Sequence, residues 1–327
     1  MTSNGSSEAD LPAAGPFIVP SDATCPPEFL ALARGGDLRP MAFVRATGRA
    51  TLETARDAHR AGLALPVLVG EADEIRSSAA SMGWDLEGAR VVDAEGEKGA
   101  IDAAIALVQN DEAHGLIKGQ LHTDVFMGGI VRRTAGIRTD KRLVHVFAML
   151  PRGGGRPLLI SDAAVNISPD VTTRVESALA MSSILRKMGV DRPRIAVISA
   201  TESKLEAMPS SVEAEEIASL AAAADAKAAF AGPLSLDLAI SPESVAIKGI
   251  DPASPQGAVA GQADGLVVPD IVSGNVLFKA LAYCAGGLAA GLVVGGRVPI
   301  MLTSRSDPPA ARLASLALAA IAGQEEV

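Results

Sequence analysis

Short unbroken runs of Val, Ile and Leu recur along the chain with helical stretches between them, and this alternation decides the fold class. Runs without polar alternation belong to strands covered on both faces, which is the situation of parallel strands joined by crossover helices. Strands are expected at Met41–Ala46, Leu65–Gly70, Ala89–Asp93, Gly115–Ile117, Leu143–Met149, Leu158–Ser161, Arg194–Ser199, Gly265–Pro269 and Val298–Thr303. Helices are expected at Thr51–Ala61, ending at Gly62, and at Val171–Met188, ending at Gly189. A third, Val212–Ala229, carries Glu residues toward its start, where the helix dipole favours them. The reading is α/β, with largely parallel sheets and flanking helices.

A chain of 327 residues exceeds what one hydrophobic core usually serves, so two domains are expected. The turn-prone run Pro151–Pro157, PRGGGRP, marks either their boundary or a hairpin turn. A second crossing near Val298 returns the last strand and helix to the first domain. The expected division is a disordered lead over 1–20, domain I over 21–150 plus 299–327, and domain II over 151–298, with the active-site cleft between them. The lead lacks the basic start and apolar segment of a secretory signal.

Composition then removes whole classes of function. Sixty alanines against 3% aromatic residues give a core of small side chains and leave too few rings to stack bases. The net charge of −9 argues against duplex binding. Cys25 and Cys284 stand far apart without zinc or redox spacing, which reads as two free thiols in a reducing compartment. The most apolar stretch, Leu281–Val294, is interrupted by Gly286, Gly287 and Gly291 and is too short to span a bilayer. A cytoplasmic protein acting on small molecules is what remains.

No GxGxxG follows a strand, and GxxxxGK[ST], HExxH and GxSxG are missing. His59, His114, His122 and His145 do not fall at metal-ligand spacing, so no metal is expected. The strongest local pattern is C-terminal, where a buried strand gives way to Ser304 and Arg305 and then Asp307-Pro308 opens a long Ala/Leu helix as N-cap and first-turn proline. The junction between a strand's carboxyl end and a helix N-terminus is where α/β sheets bind ligands and backbone N–H groups meet anions. Arg305 would add a charge-assisted contact to phosphate worth about 1.5–3 kcal/mol. A capped helix with an exposed arginine gives the same pattern. From Arg132 to Arg156 seven cations face Asp140 alone, which fits either a bound polyanion or a solvated helix end and loop. Lys118 ends a strand at Gly119, ahead of a helix that Thr123 or Asp124 could cap.

These patterns together resemble the phosphate acetyltransferase/phosphate butyryltransferase family, and more closely its butyryl-type branch. The matching stretches are Gly115-Leu-Ile-Lys118-Gly119 with His122-Thr123, Ser161-Asp162-Ala-Ala-Val-Asn166-Ile-Ser-Pro169, and Gly232-Pro233-Leu-Ser-Leu-Asp237-Leu-Ala-Ile240. Ala263-Asp-Gly-Leu-Val-Val-Pro269-Asp270, then Ser273-Gly274-Asn275 with Lys279, and finally Thr303-Ser304-Arg305 complete the set in family order. The resemblance implies a two-domain subunit like that of the isocitrate/isopropylmalate dehydrogenases, forming a homodimer. It implies the reaction of acyl-CoA (acetyl or butyryl) with phosphate to give acyl phosphate and CoA, by direct attack in a ternary complex. CoA is then a co-substrate, with no bound cofactor and no metal. Ser304 and Arg305 would hold the acyl phosphate and Asp307 is the nearest candidate for a catalytic base. Lys118, His122, Thr123, Asp162, Asn166, Asn275 and Lys279 would bind substrate. The chain departs from the family in two places: the loop between Arg305 and Asp307 is short, and Gly128 stands where many relatives carry Arg. Arg132, Arg133 or Arg138 could supply that phosphate contact, or it is absent. Two other readings stand beside this one, a dehydrogenase of the same fold and a non-catalytic protein that binds CoA or acyl phosphate.

Overall fold

In the computed structural model, which describes residues 17–19, 23–302 and 307–324, a strand forms at each of the nine places expected, and Thr303 of the last expected strand lies outside the described residues. The first part of the chain alternates helix and strand: α1 (Pro27–Ala33), β1 (Pro40–Val44), α2 (Arg49–Arg60), β2 (Leu65–Gly70), α3 (Ala72–Ser81), β3 (Arg90–Asp93), α4 (Gly96–Gln109), β4 (Leu116–Lys118) and α5 (Thr123–Val131). The middle adds β5 (Val144–Leu150), β6 (Leu158–Ser161), α6 (Val171–Lys187), β7 (Arg194–Ile198), α7 (Pro209–Ala224), β8 (Ala229–Leu234), α8 (Leu236–Ile240) and α9 (Pro242–Lys248). The last part is β9 (Gly265–Val267), α10 (Ile271–Cys284), β10 (Leu288–Val294), β11 (Ile300–Met301) and α11 (Pro309–Ala322).

Two strands, β8 and β10, were not expected. The helix expected to run to Ala229 ends at Ala224, because Asp225 turns inward to accept from Ser182 Oγ at 2.8 Å and Arg186 Nη1 at 2.6 Å. That helix also begins earlier than expected, with Pro209 in its first turn. β10 is the second half of the apolar stretch Leu281–Val294, whose first half belongs to α10.

All the strands join one eleven-stranded sheet in the order β3-β2-β1-β4-β11-β10-β5-β6-β9-β7-β8. From β3 to β11 neighbouring strands are parallel, and from β6 to β8 they are parallel again. Between these blocks β10 pairs antiparallel with β11 and β5, and β5 with β6. The PRGGGRP run is therefore the turn of the β5–β6 hairpin. Following the senses through, the two parallel blocks run in opposite directions, so their carboxyl ends lie at opposite edges of the sheet.

The two faces of the sheet are covered differently. On one, α1, α2, α3, α11, α6 and α7 contribute to a single hydrophobic core that runs from Phe43 and Leu68 through Val146 and Leu292 to Val197 and Phe230. α11 lies at its centre and is buried nearly all round, as a helix of Ala and Leu must be. Its Arg312 is only 8% exposed and donates to Thr54 Oγ1 at 2.8 Å and to the Asp307 carbonyl at 2.6 Å. On the other face the core is split. One cluster lies under α4 and α5, and a second is built from Met149, Ile160, Leu238 and Leu266 with α10 packed against it. Cys25 is buried in the continuous core and Cys284 is exposed, both as free thiols. Among the described residues no helix is long and apolar enough to cross a membrane.

Candidate active site

The expected residues that are described fall in two groups, one at the carboxyl end of β4 and one around the loop after β6, and the strand registers relate the two. Ile117 of β4 pairs with Met301 of β11, Val293 of β10 with Ile300, Gly291 of β10 with Phe147 of β5, and Phe147 with Ile160 of β6. Continuing these registers by one residue sets Lys118, Leu302, Gly291, Phe147 and Ile160 in one row across the sheet, on the split face. Lys118 is 9% exposed and closes β4 at the carboxyl edge of the first block. Gly119 follows because a Cβ there would lie 2.4 Å from the Val44 carbonyl oxygen, while its N–H donates to that same oxygen at 2.9 Å. The chain therefore crosses tightly over the end of β1 before α5 begins.

Neither Thr123 nor Asp124 caps α5: the N-cap is His122, Thr123 is the first helical residue, and no side chain caps the helix. Glu97, in the first turn of α4, takes over instead. Its carboxylate accepts the His122 backbone N–H at 3.2 Å and lies 2.8 and 3.0 Å from the ring Nδ1. Arg45, just past β1, reaches Glu97 at 3.5 Å and Glu71, just past β2, at 3.1 Å. The His122 N–H, then its imidazole, then Arg45 hold the Glu97 carboxyl below the ordinary range. A carboxylate at Nδ1 places the proton of a neutral imidazole there and turns Nε2 outward as an acceptor. The ring is 73% exposed, so Nε2 can meet a ligand. Sequence reading missed Glu97, Arg45 and Glu71; the available signal was that each lies just beyond the carboxyl end of a strand.

Asp162 and Asn166 serve the loop after β6. Asp162 is 2% exposed, and Oδ2 accepts from the His145 N–H at 2.9 Å and Asn166 Nδ2 at 2.7 Å. Oδ1 accepts from the N–H groups of Ala164 and Val165 at 2.9 and 3.0 Å. Asn166 also donates to the Leu143 carbonyl at 2.9 Å, tying the loop to the start of β5. α10 sits directly on this loop. Asp270 caps it by accepting from the Ser273 N–H at 2.8 Å, and a Cβ on Gly274 would lie 2.6 Å from the Asp162 carbonyl oxygen. Asn275 reaches the Ala163 carbonyl at 3.4 Å, and Lys279, one turn on, is exposed beside Phe278. The short motif around Ser273-Gly274-Asn275 thus encodes a cap, a close approach and an anchor.

Beneath α10 lie three rings. Phe147 stacks on Phe278 with centroids 4.1 Å apart, and His145 meets Phe147 edge-on at 4.3 Å. Burial pushes the His145 imidazole down to about 4 against the pull of the Asp162 carboxylate, so it is neutral at neutral pH.

Ser304 and Arg305 lie outside the described residues. Asp307 is described, and it is not the cap of α11; that position is Pro308, with no side-chain cap. The seven cations between Arg132 and Arg156 do not converge. Arg132 pairs with Asp102 on α4, and Arg156 with Asp264 at 2.5 Å. Arg138 pairs through its backbone with Gly296, ahead of β11. Lys141 and Arg142 line a cavity of about 1000 Å³ at the amino ends of β1, β4 and β11, the opposite edge from Lys118. Gly128 has no atom within 4 Å of where a Cβ would stand, so space for a side chain exists there. Among the described residues no group of three His, Cys, Asp or Glu side chains could hold a metal ion.

Known proteins resemble this chain. Residues 98–320 match the family described as phosphate acetyl/butaryl transferase. The chain is 39% identical over 272 residues to a phosphate acetyltransferase of Rhizobium meliloti, covering 83% of this chain and 84% of that protein. It is 31% identical over 295 residues to a phosphate butyryltransferase of Clostridium acetobutylicum, covering 90% and 96%. A branched-chain phosphotransacylase from Enterococcus faecalis V583 superposes with a TM-score of 0.75 at 28% identity, over 88% of this chain and 99% of that one.

Proposed function

The chain belongs to the phosphate acetyl/butyryltransferase family and is a phosphate acyltransferase, and we propose that it passes the acyl group directly between CoA sulfur and phosphate in one ternary complex. A phosphate oxygen attacks the thioester carbonyl carbon, the C–S bond breaks, and CoA leaves with the sulfur electron pair and takes up a proton. In reverse the thiolate attacks the acyl phosphate and phosphate leaves. The observation that carries this reading is the meeting of β4 and β11: Lys118 ends its strand beside Leu302, from which the sequence runs on to Ser304 and Arg305. Those three residues would bind the phosphate, and its orientation and charge stabilisation supply the main catalytic contribution.

The proton is harder to place. A free aspartate lies about 4.6 pKa units below a thiol, so full transfer to Asp307 is uphill by about 6 kcal/mol and must be concerted with bond making. An imidazole lies only about 2 units below a thiol. The Nε2 of His122, turned outward by Glu97, is therefore a second candidate for the base. Near-wild-type turnover of Asp307→Asn would remove Asp307 from the role.

The sense reversal around β10 and β5 supports division into a unit of 21–150 plus 299–327 and a unit of 151–298, the two-domain plan of the isocitrate/isopropylmalate dehydrogenases that the family resemblance implies. In this reading Thr123, Asn275 and Lys279 would bind substrate at the split between them, and Asp162 and Asn166 would shape it through the loop after β6. Val272, Val276 and Tyr283 form an exposed stripe along α10, at 66%, 62% and 53% exposure, which supports a homodimer. We place the enzyme in the cytoplasm, with CoA as co-substrate and no resident cofactor. Thiol release from acetyl-, propionyl- or butyryl-CoA with phosphate tests the reading. No release with any of them would overturn it, and binding without release would favour a non-catalytic CoA protein. Turnover that needs a nicotinamide and a divalent metal would favour a dehydrogenase.

A further inference from the structure

We infer that the stacked rings of Phe147 and Phe278 form the end wall of the acyl subsite and restrict it to short acyl chains. The inference rests on the phosphate acyltransferase reading and deepens it. Reactant chemistry demands a cation and an apolar surface within one substrate length, since the acyl carbon is bonded to phosphate in the product. The row across the split face supplies both in order. Lys118 stands at one end and Phe147 three strands away, about 14 Å between backbones at the usual strand spacing, a distance that the Phe147 ring shortens by reaching over β10. Leu302 and Gly291 lie between them.

Gly291 is the open position in this row, and the rings close over it. A Cβ at 291 would lie 2.9 Å from Phe147 Cε1 and 3.1 Å from His145 Nε2. Phe147 thus leans over β10, toward Leu302 and Lys118. Phe278 braces it from α10, the helix that also carries Asn275 and Lys279. Both phenylalanines are half-buried, so each keeps an open surface. The chain has only seven Phe, and a planar pair of them is a stiff barrier where Ala and Val would have left room.

An apolar pocket discriminates one methylene by about 10- to 200-fold. The wild-type enzyme should therefore favour acetyl- over butyryl-CoA, although the motifs lean to the butyryl-type branch and the relatives include both activities. The test is kcat/KM for acetyl-, propionyl- and butyryl-CoA, read by thiol release, in wild type, Phe147→Ala and Phe278→Ala. Each substitution should raise the butyryl-to-acetyl ratio at least about tenfold. Should Phe147→Ala fail to fold, Phe147→Leu, which keeps most of the volume, should shift the ratio the same way by less. A ratio unchanged in the variants, or a wild type faster on butyryl-CoA, overturns the inference while leaving the acyltransferase reading intact. A wild type that turns over no acyl-CoA overturns both.

Discussion

The two faces of the sheet are built from the same kinds of residue and behave differently. One face carries a core without interruption from the first parallel block to the second, sealed by α11. The other carries two clusters, separated along the middle strands at Gly291 of β10 and His145 of β5. The continuous face joins the two parallel blocks through one core; on the interrupted face Lys118 ends one side of the break and the Phe147–Phe278 stack under α10 ends the other. Residue type alone therefore does not decide whether a face is sealed; the placing of the helices does.

The largest expected effect tests the continuous face. Leu316, fully buried on α11, should cost about 2–5 kcal/mol when replaced by Ala. Chemical unfolding should remain a single transition, because both blocks share that core. Two separated transitions in wild type would break the comparison.

Next is the gap itself. His145 titrates at about 4 in the folded protein, against about 6.5 for a free imidazole. Its folded value is depressed, so the unfolded chain binds the proton first, and stability is lost as pH falls from about 6.5 toward 4. Between pH 7 and pH 4.5 wild type should lose about 2–3 kcal/mol more than His145→Gln in urea titrations. Parallel losses in the two proteins would mean that His145 is not shielded at the gap.

A smaller change is expected at the edge of the gap. Glu97→Gln should lower kcat/KM by about 10- to 100-fold while leaving the unfolding midpoint in place, since exposed pairs add little stability. An unchanged kcat/KM would reduce Glu97 to a surface staple between α4 and α5.

Last, the two cysteines report the two faces without altering either. The Cys25 thiol is pushed up to about 11, by burial first and then by Glu28, whereas Cys284 is exposed at the end of α10. Iodoacetamide at pH 8 should modify one thiol per native chain and two after unfolding, because the thiolate is the reactive form. Rapid labelling of both in the native protein would show that the core around Cys25 opens.

Much of this was legible in the residues, for reasons that differ by element. β2 and β6 could be bounded from sequence because an unbroken apolar run ends at a turn on each side. β8, AFAGPL, could not, since Gly232 and Pro233 in its interior are residues that strands usually exclude. β10 was hidden by its own hydrophobicity, which merges with the end of α10. Strand sense around β10 depends on how a connection folds back, which no local pattern records. In the candidate site, Lys118 was visible from the strand-glycine-helix order, and His122 only through the family resemblance. Glu97 was not: in Glu95-Gly-Glu97-Lys98 it looks like any solvated helix start, and only the fold brings it to His122.

The insertion of β11 between β4 and β10 has a consequence for how the chain reaches this state. Ile117 is made well before its partner Met301, which lies 184 residues further along the chain. Until then β4 presents an unpaired edge, of the kind that other chains can pair with. Non-local pairings also slow folding, because chain must be ordered before the contact rewards it. A chain truncated ahead of β11 should accordingly be open to aggregation at the edge where Lys118 lies, and pairing of β11 closes that edge.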